Sequence, residues 1–164
     1  MRTRSTTVDG AALTLRRLLE PRAATRVLRA ALDEPTDARP PGAALAVETV
    51  TILRAHPGHR WTLHFAGTRG GMAFACIGKL YARDRSDVAA LLAWLGATGF
   101  GAASELRVPQ PLAYLPRRRL LLLEWVPGAP ARVALRRGDL AAAERAALWL
   151  ARVRTLAPAP PPAA

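Results

Sequence analysis

The chain has 164 residues, the length of one domain that can form a hydrophobic core without metal ions or disulfides. Its 24 lysines and arginines outnumber 12 aspartates and glutamates, for a net charge of +12, yet 51% of the residues are hydrophobic. That fraction excludes a disordered polycation. The single cysteine excludes an internal disulfide, and no apolar run approaches the roughly 20 residues of a membrane span, so we expect a cytoplasmic protein.

The basic residues are almost all arginines, since Lys79 is the only lysine. Alanine is also abundant, and together these features are typical of a coding bias toward Arg, Ala, Gly and Pro. The high charge is therefore not by itself evidence of a polyanionic partner. A lysine that persists against such a bias is a candidate functional residue.

Residues 11–33 have helical patterning that Pro21 divides into two helices, and the prolines of residues 35–41 predict a linker. We therefore expect a helical preface and linker over residues 1–44. From Leu45 the hydrophobic period changes to two, which predicts a strand, a turn at residues 56–60 and a second strand. A third strand is predicted over residues 72–82, with Lys79 on the same side as Ile77 and Tyr81.

An amphipathic helix is predicted over residues 84–97, with Asp84 as its N-cap. Two further strands follow at residues 112–115 and 120–126, then a Pro-Gly break and a final helix near residues 140–153. We expect a disordered Pro/Ala tail over residues 157–164.

These elements predict an α+β fold. Its five-stranded antiparallel sheet has the third strand at the centre and the 84–97 helix packed on one face. The N-terminal helices lie outside.

Three segments carry a family resemblance: Ile77-Gly78-Lys79-Leu80-Tyr81, then Val108-Pro109-Gln110-Pro111-Leu112-Ala113-Tyr114, and Leu120-Leu121-Leu122-Leu123-Glu124-Trp125-Val126-Pro127-Gly128. Together they resemble the N-terminal lobe of the aminoglycoside phosphotransferase family, the small-molecule branch of the protein-kinase-like fold. The resemblance implies a kinase-like N-lobe with its hinge over residues 45–128 and the start of an incomplete C-lobe over residues 129–156.

The resemblance also implies a site for ATP. Lys79 would hold the α and β phosphates as a point charge on a rigid strand. The turn that contains Gly58 and His59 would cover the phosphates, and the backbone of Glu124, Trp125 and Val126 would bind the adenine edge. Each of these segments also has a purely structural interpretation. Lys79 would then be a solvated lysine, the Gly58 turn an ordinary hairpin turn, and the Glu124 segment a buried strand that ends in a turn.

Two departures from the family pattern limit the expected activity. The helix after the third strand has Asp87 in its first turn and no Glu at its middle to pair with Lys79. The family's His-Gly-Asp catalytic loop and its metal-binding Asp are not found. We therefore expect weak ATP binding, magnesium only if a second lobe supplies ligands, and no phosphoryl transfer by this chain alone. The chain would be a truncated reading frame or one half of a two-part protein.

Three other interpretations concern partners. A nucleic-acid-binding module would use the net charge and the Arg117-Arg118-Arg119 cluster, but Trp61, Phe65 and Trp94 lie at core positions and leave no stacking platform. In the second interpretation, the chain is a regulatory partner of a complete kinase. The last is contact with a second lobe, or self-association, through an apolar stripe on the final helix, formed by Leu140, Ala147, Leu148 and Ala151.

Overall fold

The computed structural model describes residues 5–32 and 44–156, and side chains from residue 10 onward. The predicted linker at 35–41 and tail at 157–164 lie outside the described residues. The helices are α1 (Ser5–Leu18), α2 (Pro21–Leu32), α3 (Ser86–Leu95), α4 (Ala131–Arg136) and α5 (Leu140–Arg154). The strands are β1 (Leu45–His56), β2 (Arg60–Arg69), β3 (Met72–Tyr81), β4 (Pro111–Leu115) and β5 (Leu120–Glu124).

All five strands form one antiparallel sheet in the order β1-β2-β3-β5-β4. The predicted α+β class, the antiparallel sheet and the central position of the third strand are therefore confirmed. The strand bounds differ at β5, which ends at Glu124 rather than at residue 126. The sequence prediction also lacked α4, because one short turn of helix has too few residues to show a period.

Alternation along β2 sorts its side chains between the two faces of the sheet. Trp61, Leu63 and Phe65 are buried, whereas Thr62 and His64 point to the opposite face and are half-buried. On β3, Cys76 and Leu80 share the first face and belong to the same hydrophobic cluster. Lys79 therefore projects from the second face.

The first face is covered by α1 and α2, so the prediction that the N-terminal helices lie outside is wrong. Leu18, Leu28 and Leu32 have exposed fractions of 1%, 0% and 4% and join the strand residues in one core. Two polar contacts fasten α2 to β1: Thr25 Oγ1 accepts from Val47 N at 2.9 Å, and Arg29 Nε donates to the Leu45 carbonyl at 2.7 Å. Ala24, Leu28 and Leu32 recur every four residues, which gives α2 an apolar stripe that requires a partner surface.

The helix expected to pack on the sheet has its buried residue elsewhere. The contacts divide the described residues into two compact units, the first within Met1–Ala89 and Pro111–Trp125 and the second within Ala90–Gln110 and Val126–Ala164. The buried residue of α3 is Leu95, which packs with Phe100 and Val108 in the second unit. The role of sheet-covering helix therefore belongs to α1 and α2.

The second unit has its own small core around Phe100. The Trp149 ring of α5 lies edge-on to Phe100, with centroids 5.9 Å apart. The Arg152 guanidinium stacks over the same ring at 5.1 Å. Only one side of α5 contributes to this core, because Leu140, Leu148 and Leu150 are 77%, 61% and 59% exposed.

We expect the Cys76 thiol to resist modification by an aromatic disulfide reagent as long as the protein is folded. Burial raises the pKa of the thiol to about 12, so little of it is ionised to the reactive thiolate. Its exposed fraction is 0%, so the reagent does not reach the sulfur in the folded protein. Labelling followed at mildly alkaline pH, with and without urea, measures this. Rapid labelling of the folded protein would contradict the burial of this strand, and unfolded protein serves as the fully reactive control.

Candidate functional site

Lys79 lies on the central strand of the sheet and projects from the second face. Its neighbours in register are Thr62 on β2 and Leu121 on β5, and Leu121 is in turn paired with Tyr114 on β4. Leu121 is fully buried, whereas Lys79 is half-buried. The lysine stem therefore runs along a row of side chains that a strand on each side holds in place.

The surroundings of Lys79 disfavour its charge. Burial lowers the pKa of the Lys79 ammonium below its usual value, and the positive charge of Arg60 lowers it further. Within residues 10–32 and 44–156, the Lys79 ammonium has no salt bridge or hydrogen bond to the protein. Asp87, the acid that the sequence places nearest in the following helix, instead pairs with Arg85 at 2.9 Å.

Arg60 is the second cation on this face. It stands at the start of β2 directly opposite Tyr81 on β3. Its Nε–H is buried and has no hydrogen-bond partner among the described residues. Burial raises the pKa of the Tyr81 hydroxyl, and the charge of Arg60 works in the other direction. Arg60 therefore has an Nε–H donor that no described residue accepts, and its positive charge repels that of the Lys79 ammonium.

A cleft of about 430 Å³ opens at the same end of the sheet. The β1–β2 turn forms one wall, and the residues that follow β3 form the other. It is lined by His56, Gly58, His59, Arg60, Tyr81, Ala82, Arg83 and Arg85. The lining includes three arginines and no carboxylate, so the cleft is suited to an anion.

Gly58 and His59, which the resemblance implies as nucleotide contacts, form part of this cleft. Gly58 has φ of +76°, a conformation that favours glycine, so the turn requires it at this position. The His59 carbonyl accepts from Ala82 N at 2.9 Å and ties the turn to the end of β3. Both residues are exposed.

The connection from β3 to α3 is fixed by Tyr114. Its hydroxyl donates to Asp84 Oδ1 and accepts from Arg85 N at 3.0 Å. Asp84 Oδ2 accepts from Ser86 N at 3.3 Å and from Ser86 Oγ at 2.7 Å. The hydrogen bond from Tyr114, followed by those from Ser86, lowers the pKa of the Asp84 carboxyl below its usual value. Asp84 thus serves the start of α3 as predicted, although α3 begins at Ser86 and Asp84 stands one residue before the N-cap position.

The predicted adenine contacts lie toward the other end of β3. Glu124 ends β5 opposite Cys76, three residues from Lys79 along β3. The Trp125 ring stacks on His64 with centroids 4.5 Å apart and an angle of 49° between the planes. Trp125 and Val126 are 39% and 38% exposed. Trp125 belongs to the first unit, whereas Val126 belongs to the second.

The structure therefore places the predicted residues of the first unit at three positions, with Gly58 and His59 in the β1–β2 turn, Lys79 on β3, and Glu124 and Trp125 at the end of β5. Glu124 is in register with Cys76, so its side chain belongs to the first face of the sheet, and its backbone is the part that the prediction concerns. The structure does not gather these residues into one pocket. Sequence reasoning missed Arg60 and His64 as members of the site. The signal was present, because both alternate with the buried Trp61, Leu63 and Phe65 and so share the face of Lys79.

Within residues 5–32 and 44–156 no group of three His, Cys, Asp or Glu side chains is placed to hold a metal ion. In the same part of the chain, no helix combines the length and apolar character needed to cross a bilayer.

Comparison with known proteins leaves the chain without a family assignment: no family model, no curated protein and no solved structure matches it.

Proposed function

We propose that this chain is the ATP-binding N-terminal lobe of a small-molecule phosphotransferase of the aminoglycoside phosphotransferase kind. The single observation that carries the proposal is Lys79: a half-buried ammonium on the central strand, with Arg60 beside it and no acid of the described residues paired with it. The resemblance of the three sequence segments is the reason for proposing this family. The arrangement of positive charges supports an anionic ligand.

A purely structural role does not account for Lys79. A half-buried ammonium that no described residue pairs with destabilises the fold, and a second cation nearby adds to the cost. An apolar side chain of similar length, such as methionine, would fill the same space on the β3 strand without that cost. The phosphate groups of a nucleotide would neutralise both cations and would accept from the free Arg60 Nε–H.

The order of the residues along β3 also fits an extended nucleotide. Lys79 and the Glu124 position are three residues apart along the strand, about 10 Å at the usual rise. The Gly58 turn and the arginine-lined cleft lie beyond the other end of β3. Adenine near Glu124 and Trp125 would thus place the phosphates along Lys79 toward the turn.

ATP fits this set of residues better than a magnesium–nucleotide complex does. Burial and Arg60 are the influences on the pKa of Lys79, and no carboxylate of the described residues acts on it. Magnesium would require carboxylates supplied by a second lobe. This lobe by itself would bind and orient the nucleotide, and phosphoryl transfer would depend on that other lobe.

Calorimetry with ATP tests the proposal. We expect a dissociation constant near the millimolar range, about −4 kcal/mol of binding free energy, for the wild type. The Lys79→Met variant should bind at least about tenfold more weakly, because the phosphates lose their central cation. Arg118→Met removes an exposed arginine of the β4–β5 turn and is the matched control. Equal binding by Lys79→Met and the wild type would contradict the proposal.

The same variant shows whether Lys79 is costly to the fold. Since the folded-state pKa of Lys79 lies below the ordinary 10.5, the unfolded chain binds more protons in the interval between the two values. Wild-type stability should therefore rise, relative to Lys79→Met, as the pH increases through that interval. Urea unfolding of both proteins at neutral and alkaline pH measures the difference, and a difference of the opposite sign would contradict the burial argument.

We further propose that the exposed side of α5 contacts a second lobe or a second copy of the chain. Leu140 and Leu148, both in the predicted stripe, are 77% and 61% exposed. Ala147 and Ala151 are exposed as well. Sedimentation across a concentration series should show self-association that Leu148→Glu weakens. A wild-type monomer at high micromolar concentration, unchanged by the substitution, would argue against the proposed self-association.

A further inference from the structure

A basic groove of about 910 Å³ lies between the two N-terminal helices and the β4–β5 turn, within the first unit. Its charged lining residues are Arg17, Glu20, Arg26, Arg117 and Arg118. None of them belongs to the nucleotide site proposed above. Four cations face one acid, so the groove has a strong positive potential.

The position of two of these arginines is fixed by the turn that carries them. Arg117 and Arg118 lie in the single 3-10 turn Pro116–Arg118. Arg119, which ends the turn, has φ of +54° and donates from Nη1 to the Ala82 carbonyl. The Arg119 carbonyl accepts from Tyr81 N at 2.9 Å. The turn is thus fastened to the end of β3 and holds both arginines at the groove.

The four arginines have no partners of their own. Arg17, Arg26, Arg117 and Arg118 are exposed, and among the described residues none of their guanidinium groups makes a hydrogen bond or an ion pair, not even with the Glu20 carboxylate in the same groove. Four unneutralised guanidinium groups around one concavity repel each other. An anionic occupant would relieve that repulsion, and carboxylates match the guanidinium fork in two-point contacts.

The floor of the groove indicates which anion. Leu18 and Ala23 are 1% and 9% exposed and Val27 is half-buried, so the floor is aliphatic. No aromatic residue lines the groove, and bases have no ring on which to stack. The volume is near the upper end of the range of about 300–1,000 Å³ for drug-sized ligands, enough for several side chains. Arginine walls over an aliphatic floor complement an acidic segment with apolar side chains.

We propose that this groove binds an acidic peptide segment of a partner protein. Its carboxylates pair with the four arginines, and its leucine-like side chains cover Leu18, Ala23 and Val27. The proposal does not depend on nucleotide binding, because the two sites share no lining residue.

Fluorescence anisotropy tests it with three labelled probes: a short peptide of Glu-Glu-Leu repeats, a Glu-only peptide of equal charge, and a single-stranded oligonucleotide of equal charge. We expect the leucine-containing peptide to bind most tightly. The double variant R117E/R118E should weaken that binding by about tenfold or more. The matched control R136E/R137E changes the net charge equally at exposed positions outside the groove. Thermal unfolding of each variant checks that the fold is intact.

Three results would overturn the proposal. Equal weakening by the two double variants would show attraction to overall charge rather than to the groove. Tightest binding of the oligonucleotide, lost in R117E/R118E, would assign the groove to nucleic acid. Equal affinity for the two peptides would show that the aliphatic floor takes no part.

Discussion

Alanine in place of Leu28 is expected to lower the free energy of unfolding by about 2–5 kcal/mol. Leu28 has no exposed surface and lies in the core that joins α2 to Leu45 of β1 and Phe65 of β2. The truncation removes buried methyl groups and leaves a cavity between helix and sheet. Urea unfolding followed by circular dichroism measures the loss.

The matched control is Leu148→Ala on α5, where the leucine is 61% exposed. We expect that change to remain within about 0.5 kcal/mol of the wild type, because little apolar surface is transferred. The comparison tests the cover of the sheet directly. If Leu28→Ala were as mild as the control, the N-terminal helices would not form the core layer described above.

Gly67→Ala is the second substitution with a large expected effect, a destabilisation of about 3 kcal/mol, at the upper end of overpacking costs. A Cβ at this position would lie 2.0 Å from the Ala46 carbonyl oxygen on the neighbouring strand. The register of β1 and β2 shifts just beyond the Val47–Gly67 pair, where the strands approach closely. Because the overlapping atom belongs to the backbone, a side-chain rotation does not relieve it.

Gly10→Ala is the corresponding control. Gly10 lies within α1, and a Cβ there would meet no atom within 4 Å. Alanine restricts the unfolded chain and favours the helix, so we expect a gain of about 0.5–1 kcal/mol. Thermal unfolding of both variants should therefore show shifts of opposite sign. A neutral Gly67→Ala would mean that the two strands are able to separate at the bulge.

Local patterns predicted most of the secondary structure, with α4 and the end of β5 as exceptions. Alternation at Trp61, Leu63 and Phe65 predicted β2 and its buried face. Pro21 divided the first helices, and the single lysine identified Lys79. Each of these signals acts between neighbouring residues, through backbone geometry or through the two-residue period of a strand. The central place of β3 was predicted together with the kinase-like lobe that the family resemblance implies, and the strand order agrees with it.

The layer that covers the sheet was decided by the tertiary structure. Both α2 and α3 have apolar residues at helical spacing, and nothing in either sequence states which surface the stripe meets. Polar contacts from Thr25 and Arg29 to β1 place α2 on the sheet, whereas Leu95 of α3 packs with Phe100. The polar contacts of α2 join residues 22 and 16 positions apart in the chain, and a periodicity does not encode such pairs.

Alternation and the order of elements along the chain were enough to predict the α+β class and the face of its strand on which Lys79 lies. The folded structure places Arg60 beside Lys79 with no acid of the described residues to neutralise them, and it brings Arg17 and Arg26 to the same groove as Arg117 and Arg118. Charges interact through space, and the separations that govern their energies exist only once distant segments of the chain have folded together.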